Sequence, residues 1–468
     1  MMKILKLKVT KLYGVFNYDV EFNSDVTFIY GENGCGKTTI LNITEAIITG
    51  QLYNLFDYKF NEIILYYSHN GKKTDIKEIK ISMKKNSLNV TFNEKNYKIT
   101  VGDSDDNNLI NSYYFNKFNK EMTPELDDNF DEMESIYFNR YSFLNKIKNT
   151  FNYVYLPLNR SSIYDNRSSI YDFPRSIRAN MSGYTEPNRV KVEKGIRQVE
   201  ELVASKCLRI NGTIATINDE FRNNILKSLM EVSSENSFVN NVVNFKNDKN
   251  LQNEMNDIKK EYIKTLLELG LLADNEEDSI NLFFDNYIKD LYLYDYSDDV
   301  PVDPSLLSQY QEIIKMKKII NIAKESEKQK ADARSPIETF LTTINGFIES
   351  GADNKKIAIS KEGKIYFTTK YSKENISIRY LSSGEKQLII FFANLIFNVT
   401  SGKSGIFVVD EPEISLHLSW QREFVGKALE VNNNLQLIFA THAPEIIGKR
   451  RNKAFRLEKI FEEAGSPN

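Results

Sequence analysis

The sequence predicts an α/β fold in which a mixed central sheet and an antiparallel β meander are interrupted by an all-helical insertion. A β-branched and aromatic run, residues 26–30, leads into the glycine-containing loop 31–39 and then into an apolar helix. Short alternating runs between residues 62 and 101 are typical of antiparallel strands. From about residue 190 to 331, apolar residues recur at helical spacing, which predicts the insertion.

These patterns divide the chain into three segments. We expect residues 1–185 to form the N-terminal part of an α/β head, 186–335 to form the helical insertion, and 336–468 to complete the head. A length of 468 residues is more than one ordinary domain requires, so a head with an inserted unit is a reasonable organisation.

The loop Gly31–Thr39 fits the pattern G-x-x-x-x-G-K-[ST], which binds phosphate groups. Gly34 and Gly36 allow backbone N–H groups to curl around phosphate oxygens, and the helix that follows adds the partial positive charge of its N-terminus. Lys37 is expected to reach the β- and γ-phosphates of ATP, and the Thr38 hydroxyl to bind Mg²⁺. The alternative is a glycine turn that only starts a helix. The residues expected to contact the nucleotide here are Asn33, Gly34, Cys35, Gly36, Lys37, Thr38 and Thr39.

Composition narrows the class of protein. The 61 basic and 64 acidic side chains give a net charge of −3, which offers no argument for tight nonspecific nucleic-acid binding but leaves a local basic patch open. Two cysteines, Cys35 and Cys207, cannot form a disulfide framework, so we expect a reducing, cytoplasmic compartment. The N-terminus has no apolar signal segment, and no run of 18 or more apolar residues predicts a membrane span.

Paired strands are expected at residues 3–9 and 17–22. Tyr13 and Phe16 lie between them, where either ring could stack on adenine or belong to the core. Asp103–Asn149 is acidic and asparagine-rich, which predicts surface loops and short helices. The strands expected in the meander are Glu62–Tyr67, Asp75–Met83, Leu88–Phe92 and Tyr97–Val101.

A heptapeptide is repeated directly after a predicted buried strand at Tyr153–Pro157. The copies are residues 159–165 and 166–172. Two copies are too few for a solenoid, so we interpret the repeat as a duplication in a loop that tolerates added length. Arg160 or Arg167 could contact a phosphate or a neighbouring subunit, although a solvated loop position is the favoured interpretation.

The helical block is expected to pack as antiparallel helices. An apolar stripe alone does not distinguish a core face from a partner surface, and a core face is the default. Pro336 is expected to open another helix that ends near Gly351, followed by a hairpin, 356–369, with a turn at Glu362–Gly363. The earlier helices are predicted at Val190–Leu208, Thr213–Val232, Leu251–Leu271, Ser279–Leu293 and from Pro304 to about Ala331.

A second group of polar residues lies in the C-terminal part. The sequence Ser-Ser-Gly precedes an apolar helix, 388–397, so a hydroxyl and unpaired N–H groups predict an anion site. The residues expected there are Ser382, Ser383 and Gly384.

Two further strands are predicted to end in chemically active side chains. The apolar run 405–409 leads into Asp410 and Glu411, at the carboxyl end of a central parallel strand, where ligands bind in such sheets. Asp410 is expected to hold the Mg²⁺ shell, and Glu411 to orient and deprotonate the attacking water. The strand 435–440 leads to His442, which is expected to hydrogen-bond the γ-phosphate. Each feature alone has a structural explanation, but their order and spacing favour one ATP site.

Together these motifs resemble those of an ABC-type ATPase head, in the branch that contains RecF, SMC-type heads and OLD-like ATPases. Residues 31–38 resemble Walker A, 381–387 the signature motif, 408–411 the end of Walker B, and His442 the switch histidine. Transporter subunits typically have Asp-Glu-Pro-Thr-Ser-Ala-Leu-Asp after Walker B. Residues 410–417 are instead Asp-Glu-Pro-Glu-Ile-Ser-Leu-His, as in OLD-like and RecF-like ATPases.

The resemblance implies a head-to-tail dimer, or a higher oligomer, that sandwiches ATP. Ser382 and Gly384 of one subunit would close on the γ-phosphate held by Lys37 of another. Two departures from the pattern matter. The glutamine loop has no clear match, and Gln51 is a weak candidate. Only 26 residues follow His442, which is too few for the TOPRIM domain of OLD nucleases.

A head with a helical insertion and no nuclease motif resembles the ATPase subunit of two-gene antiphage defence systems. The histidines are His69, His417 and His442, and they do not form an HNH pattern. We therefore expect an ATPase that controls a separate effector, an HNH nuclease of the Septu type first and a TOPRIM effector of the PARIS type second. The alternatives are a RecF-like or SMC-like DNA-repair ATPase, for which nucleic-acid contact stays open, and a transporter subunit, which residues 410–417 disfavour. Asp103–Asp106 could bind Mg²⁺, but solvated loop residues are the favoured interpretation.

Overall fold

The computed structural model describes residues 2–461 apart from 70, 72–74, 85–86, 101–137, 139, 152, 157–186, 231–250, 273–275, 294–302, 350–352, 399–404, 415 and 433. The chain divides into two compact units. The first combines Met1–Lys206 with Pro336–Asn468, and the second is Cys207–Ser335. The repeated heptapeptide with Arg160 and Arg167, and the acidic stretch Asp103–Asp106, lie outside the described residues.

The described N-terminal part consists mainly of strands with two α-helices between them, four longer helices follow, and a second mixed part completes the chain. The N-terminal elements are β1 Met2–Leu12, β2 Phe16–Glu21, β3 Val26–Tyr30, α1 Lys37–Ile48, β4 Glu62–His69, β5 Ile76–Lys84, β6 Ser87–Phe92, β7 Lys95–Thr100, α2 Ser142–Thr150 and β8 Tyr153–Leu156. The helices that follow are α3 Pro187–Met230, α4 Leu251–Glu268, α5 Glu276–Leu293 and α6 Pro304–Ile348. The last elements are β9 Lys356–Ile359, β10 Ile365–Thr369, β11 Ser372–Ser377, α7 Ser383–Ala393, β12 Ile406–Asp410, α8 Leu418–Val431, β13 Gln436–Ala440, α9 Pro444–Ile447, β14 Ala454–Arg456 and β15 Ile460–Phe461.

Parallel and antiparallel pairs lie in separate sheets within the described part of the chain. The order β14-β3-β13-β12-β8 forms a sheet whose pairs are all parallel. A larger sheet, β15-β2-β1-β4-β5-β6-β7, is antiparallel and contains the predicted meander. The strands β11-β10-β9 form a third, antiparallel sheet; β11 was not predicted. The α/β fold with an antiparallel meander and helical segments is therefore confirmed.

The parallel sheet is covered on both faces, which explains its continuous apolar strands. Alternate residues of β12 face opposite sides. Val408 belongs to the core that includes α1, whereas the ring of Phe407 contacts Phe391 of α7, with 6.4 Å between centroids. Phe424 of α8 packs 4.3 Å from Phe391 on the same side. The sheet is thus layered between α1 and the pair α7 and α8, which fixes the ends of its strands.

A buried glutamine joins the parallel sheet to the antiparallel sheet. Gln436, at the start of β13, accepts a hydrogen bond from the Ile4 backbone N–H at 2.8 Å. Its amide donates to the carbonyl oxygens of Ile4 and Asn23 at 2.7 and 2.8 Å. The Gln436 side chain is fully buried, so water cannot replace it as the hydrogen-bond partner of these three backbone groups.

Replacing Gln436 by Leu should lower the free energy of unfolding by about 3 kcal/mol or more, because each buried backbone group left without a partner costs about 1–3 kcal/mol. Denaturant unfolding of the whole chain measures this change. The exposed Gln198 on α3 provides the control, since Gln198→Leu should stay within about 0.5 kcal/mol. Equal unfolding midpoints for the two variants would show that Gln436 does not hold the sheets together.

Two helices are longer than predicted. The sequence predicts a break between Leu208 and Thr213, but α3 is continuous through Gly212, which is exposed. One exposed glycine costs only about 1 kcal/mol relative to alanine, which is too little to break a helix of this length. A new helix is predicted at Pro336, yet α6 continues through it. Proline removes one hydrogen bond and costs about 3 kcal/mol, which the turns on both sides offset.

The second unit has its own helical core. Side chains from α4, α5 and the start of α6 form one buried cluster, in which Phe284 and Tyr287 are the largest members. The cluster consists of Met255, Ile258, Phe284, Tyr287, Leu291, Leu306, Ile313 and Ile320. Among the described helices of both units, none combines the length and the apolar character needed to cross a membrane.

Candidate functional site

The glycine loop has the backbone geometry that phosphate binding requires. It connects the buried strand β3 to α1, and Gly34 and Gly36 have φ angles of 76° and 104°. At Gly36 a Cβ atom would lie 2.7 Å from the Tyr18 hydroxyl, so both the backbone angle and the space require glycine. The Tyr18 hydroxyl donates to the Cys35 carbonyl at 2.9 Å and supports the loop from below. Asn33 and Gly34 are exposed at its outer edge.

Lys37 lies folded over the loop with its ammonium group buried. Its Nζ donates to the carbonyl oxygens of Gly31 and Glu32, each at 3.1 Å. The side chain is only 6% exposed. Both acceptors are uncharged carbonyl oxygens, and the loop backbone around them supplies N–H donors at the start of α1. An anion with several oxygens, such as a polyphosphate, fits that combination of charge and donors.

Thr38 connects the loop to the neighbouring strand β12. Its hydroxyl donates to Asp410 Oδ2 at 2.9 Å, across 372 residues of sequence. Asp410 is the last residue of β12 and is buried. A hydroxyl and a carboxylate are the hard oxygen ligands that Mg²⁺ prefers, and Mg²⁺ takes its remaining ligands from water and phosphate. The donor set therefore fits a magnesium ion bound together with a nucleotide.

Glu411 adopts a left-handed backbone conformation directly after β12. Its φ angle is 47°, which is uncommon for a residue with a side chain, and its N–H donates to the Ala440 carbonyl at 2.8 Å. Backbone strain of this kind costs on the order of 1 kcal/mol and clusters at active sites. The strand ends one residue earlier, and Glu411 is half-buried. No feature of the sequence indicated this conformation.

Glu413 is a site residue that the sequence analysis missed. Its Oε2 accepts from the Thr441 hydroxyl at 2.9 Å, and its Oε1 accepts from the His442 backbone N–H at 2.7 Å. Thr441 is fully buried, whereas His442 is exposed. The carboxylate therefore joins the turn after β12 to the loop after β13. Its position two residues after Glu411 was the only available signal.

The segment that resembles the signature motif forms a capped helix start. Ser382 caps α7, which begins five residues earlier than the predicted helix. The Ser382 hydroxyl donates to Glu385 Oε2 at 2.8 Å and accepts from the Glu385 N–H at 3.4 Å, so both partners of the hydroxyl belong to the same residue of the first turn. Ser382 and Ser383 are exposed, and Gly384 is buried.

A buried ion pair supports this helix start. Lys355 Nζ lies 3.0 and 3.3 Å from the two carboxylate oxygens of Glu385, which is 7% exposed. Burial by itself would raise the pKa of Glu385. The hydrogen bonds from Ser382 and the charge of Lys355 outweigh it and hold that pKa below its ordinary value. The carboxylate is therefore ionised at neutral pH and keeps Ser382 in place.

The predicted residues form two groups. Asp410 and Glu411 at the end of β12, His442 after β13 and the loop after β3 lie at the carboxyl ends of strands that are neighbours in the order β3-β13-β12. Ser382 and Ser383 begin a different helix, and the Ser382 hydrogen bonds go to Glu385. The structure therefore joins Walker-type residues from distant sequence positions and places the signature-like serines at the exposed start of a different helix.

Two weaker candidates are separated by their positions. Gln51 lies beyond the C-terminal end of α1, and that 12-residue helix spans roughly 18 Å from the phosphate loop, so Gln51 stays a weak candidate for the glutamine loop. Tyr13 is 51% exposed and hydrogen-bonds Thr39 at the start of α1. Burial and the charge of Asp57 raise the pKa of the Tyr13 phenol, which the Thr39 bond opposes. Phe16 is half-buried against the core that includes the antiparallel sheet, whereas Tyr13 is exposed, and adenine stacking by either ring stays a prediction.

Two curated relatives are retron proteins. The chain is 27% identical over 169 residues to "Retron Vc95 probable ATPase" of Vibrio cholerae serotype O1 biovar El Tor, in an alignment that covers 33% of this chain and 30% of that protein. It is 28% identical over 81 residues to "Retron Ec83 probable ATPase" of Escherichia coli, covering 15% of each. The chain thus spans less than a third of the length of these relatives.

Similar solved structures include two archaeal Smc head domains. One, from Pyrococcus furiosus, has an extended coiled coil and is bound to the C-terminal domain of ScpA. It is 12% identical, with a TM-score of 0.38 and coverage of 99% of this chain and 96% of that chain. The other, from Pyrococcus yayanosii, has a coiled coil and joint. It is 15% identical, with a TM-score of 0.33 and coverage of 96% and 93%.

A family model matches almost the whole chain, including both groups of site residues. The model for the AAA ATPase domain matches residues 2–447. The chain therefore belongs to the AAA ATPase domain family.

Proposed function

We propose that this ATPase is the nucleotide-dependent subunit of a bacterial antiphage defence complex, in which head-to-tail assembly around ATP holds or releases a separate effector nuclease. One observation carries the proposal. The phosphate loop, Asp410 and the His442 loop meet at one sheet edge, while Ser382 and Ser383 are exposed on another helix. A site divided in this way is completed by a second copy of the chain.

Within one subunit, each residue has a proposed role. Lys37 and the loop N–H groups bind the β- and γ-phosphates of ATP. Thr38 and Asp410 would hold Mg²⁺, which would neutralise charge on the phosphate oxygens. Glu411 orients the attacking water and takes its proton, and His442 donates to a γ-phosphate oxygen. The loop residues Asn33, Gly34, Cys35, Gly36 and Thr39 surround the phosphates, and the exposed Ser382, Ser383 and buried Gly384 serve the partner's nucleotide.

The effector part of the proposal rests on relatives and on the second unit. Two relatives are named as retron ATPases, although the chain covers only a small share of each. The proposed helical insertion, 186–335, exposes large apolar side chains, including Leu208, Leu229, Met230 and Leu282. We propose that the effector contacts these side chains, which would cover apolar surface that is exposed in the isolated subunit. An HNH nuclease is our first choice of effector, and a TOPRIM protein is the second.

A DNA-repair ATPase of the RecF or SMC kind is the second candidate, and one observation favours it. Residues 353–380 contain seven lysines and arginines but only three acidic residues, in a chain whose net charge is −3. Tyr371 and Tyr380 in this segment are 76% and 80% exposed. Exposed aromatic rings among basic side chains are typical of single-stranded nucleic-acid sites.

The test uses the protein encoded next to this chain as the effector. The purified ATPase with Mg²⁺ and ATP should leave plasmid, linear DNA and tRNA intact, and adding the neighbouring protein should produce cleavage that requires Lys37 and Glu411. Native mass measurement should show both proteins in one complex. Cleavage by the ATPase alone, or tight DNA binding without any effector, would contradict the proposal; the second result would support the repair function. A Glu423→Gln variant, changed at an exposed position on α8, is the matched control.

A further inference from the structure

The contact between Glu413 and the His442 loop is placed where it can coordinate two steps of the reaction. One carboxylate accepts two hydrogen bonds from consecutive residues, at 2.9 Å from the Thr441 hydroxyl and at 2.7 Å from the His442 N–H. Hydrogen bonds to an ionised acceptor are about twice as strong as neutral ones. The loop before α9 is therefore tied to the turn after β12 by its main chain, and not only by packing.

Glu413 itself is held by its own turn. The Ile414 N–H donates to the Glu411 carbonyl at 3.2 Å, and the Leu416 N–H donates to the Glu413 carbonyl at 3.1 Å. Gln421 of α8 donates to the carbonyl oxygens of Glu413 and Leu416 at 3.3 and 3.0 Å. This turn begins at Glu411, whose left-handed backbone directs the chain away from the sheet. The backbone of Glu413 is thus held within the same hydrogen-bonded turn as Glu411.

The far end of the contact is equally constrained. Thr441 is fully buried, and its backbone N–H donates to the Ile29 carbonyl of β3 at 3.1 Å. Its hydroxyl also accepts from the Ala443 N–H at 3.0 Å, so its proton is directed to Glu413. His442 is the first exposed residue after this buried anchor. A displacement of Glu413 would therefore move the backbone from which the His442 side chain extends.

We propose that Glu413 is a positioning residue. It fixes the position of His442 relative to Glu411, so that His442 contacts the γ-phosphate while Glu411 contacts the attacking water. The proposal rests on the function proposed above for His442. A residue that merely stabilised the loop would affect the protein with or without the His442 imidazole. The effect of Glu413 on hydrolysis instead requires that imidazole. Loss of the contact leaves the phosphate loop untouched, so it should reduce turnover and spare ATP affinity.

A double-mutant cycle tests this path. Glu413→Ala should lower kcat about 10- to 100-fold with little change in the Kd for ATP, because a misplacement of about 1 Å costs that much. Glu413→Gln should recover much of the rate, since its amide oxygen still accepts from the His442 N–H. In the His442→Ala background, Glu413→Ala should have almost no further effect. A loss of the same size in both backgrounds would overturn the proposal.

Amide hydrogen exchange provides a readout that does not depend on catalysis. The backbone amide of residue 442 should exchange faster in Glu413→Ala than in the wild type, because it loses its acceptor. In His442→Ala the amide at position 442 still donates to Glu413, so its exchange rate should match that of the wild type. Glu423→Ala, at an exposed position of α8, should change neither exchange nor rate. Unchanged protection in Glu413→Ala would overturn the proposal.

The same set of variants separates this proposal from the proposed function. If His442→Ala hydrolyses ATP at the wild-type rate, the catalytic function of His442 is wrong, and the exchange data alone decide whether Glu413 anchors the loop. If Glu413→Ala does not fold, Glu413→Asp replaces it, because the shorter side chain cannot reach both donors.

Discussion

Replacing Glu411 by Gln should reduce ATP turnover about 10²–10⁴-fold, because the attacking water loses its general base. The amide has nearly the same shape as the carboxylate, so the left-handed backbone at this position should be preserved. ATP affinity should remain close to that of the wild type, since Lys37 and the phosphate loop are unchanged. Steady-state hydrolysis and equilibrium nucleotide binding measure the two quantities separately.

Binding without turnover has a structural consequence. Head-to-tail dimers should accumulate in Glu411→Gln with ATP, because the nucleotide that holds two subunits together is not consumed. Mass measurement in ATP and in ADP tests this expectation, and Glu423→Gln provides the exposed control. Wild-type turnover in Glu411→Gln would show that another group is the general base. The left-handed backbone at Glu411 would then have no catalytic explanation.

The phosphate loop was predictable because its information is local. Gly34, Gly36 and Lys37 lie within four residues, and the flanking strand and helix have distinct apolar periods. The strands that lead to Asp410 and His442 were predictable for a similar reason, since continuous apolar runs indicate strands that are buried on both faces. The parallel register then places their carboxyl ends together.

Contacts between distant residues could not be predicted from one sequence. The bond from His442 to Glu413 spans 29 residues, and the pair of Lys355 with Glu385 spans 30. The sequence around Glu413 or Glu385 does not indicate which distant residue its carboxylate contacts. The left-handed angle at Glu411 is equally hidden, because glutamate has no local preference for that conformation.

Helix ends were misjudged where a local signal competed with the length of the helix. The glycine at 212 and the proline at 336 are ordinary boundary signals. In α3 and α6 the turns on both sides outweigh the local cost, so the helices continue. The segment limits 186–335 stay a prediction, since the compact second unit begins at Cys207, within α3.

Mixing two inactive variants should restore hydrolysis if the site is shared between subunits. Lys37→Ala should lose ATP binding, and an arginine at the signature-like helix start should block closure while leaving binding intact. In a mixed dimer one composite site has an intact phosphate loop from one subunit and an intact helix start from the other. Random pairing therefore restores up to about a quarter of the sites.

The structure shows which arginine variant blocks closure without also removing a helix cap. Ser382→Arg removes the cap of α7 and costs about 1 kcal/mol of stability, so its inactivity alone has two explanations. Ser383→Arg places the same charge one residue later, at an exposed position, and keeps the Ser382–Glu385 contacts. Thr213→Arg, exposed on α3, is the control and should remain active. Each serine variant should be inactive alone and regain activity with Lys37→Ala. If neither regains it, while mass measurement shows mixed dimers, the ATP site is complete within one subunit.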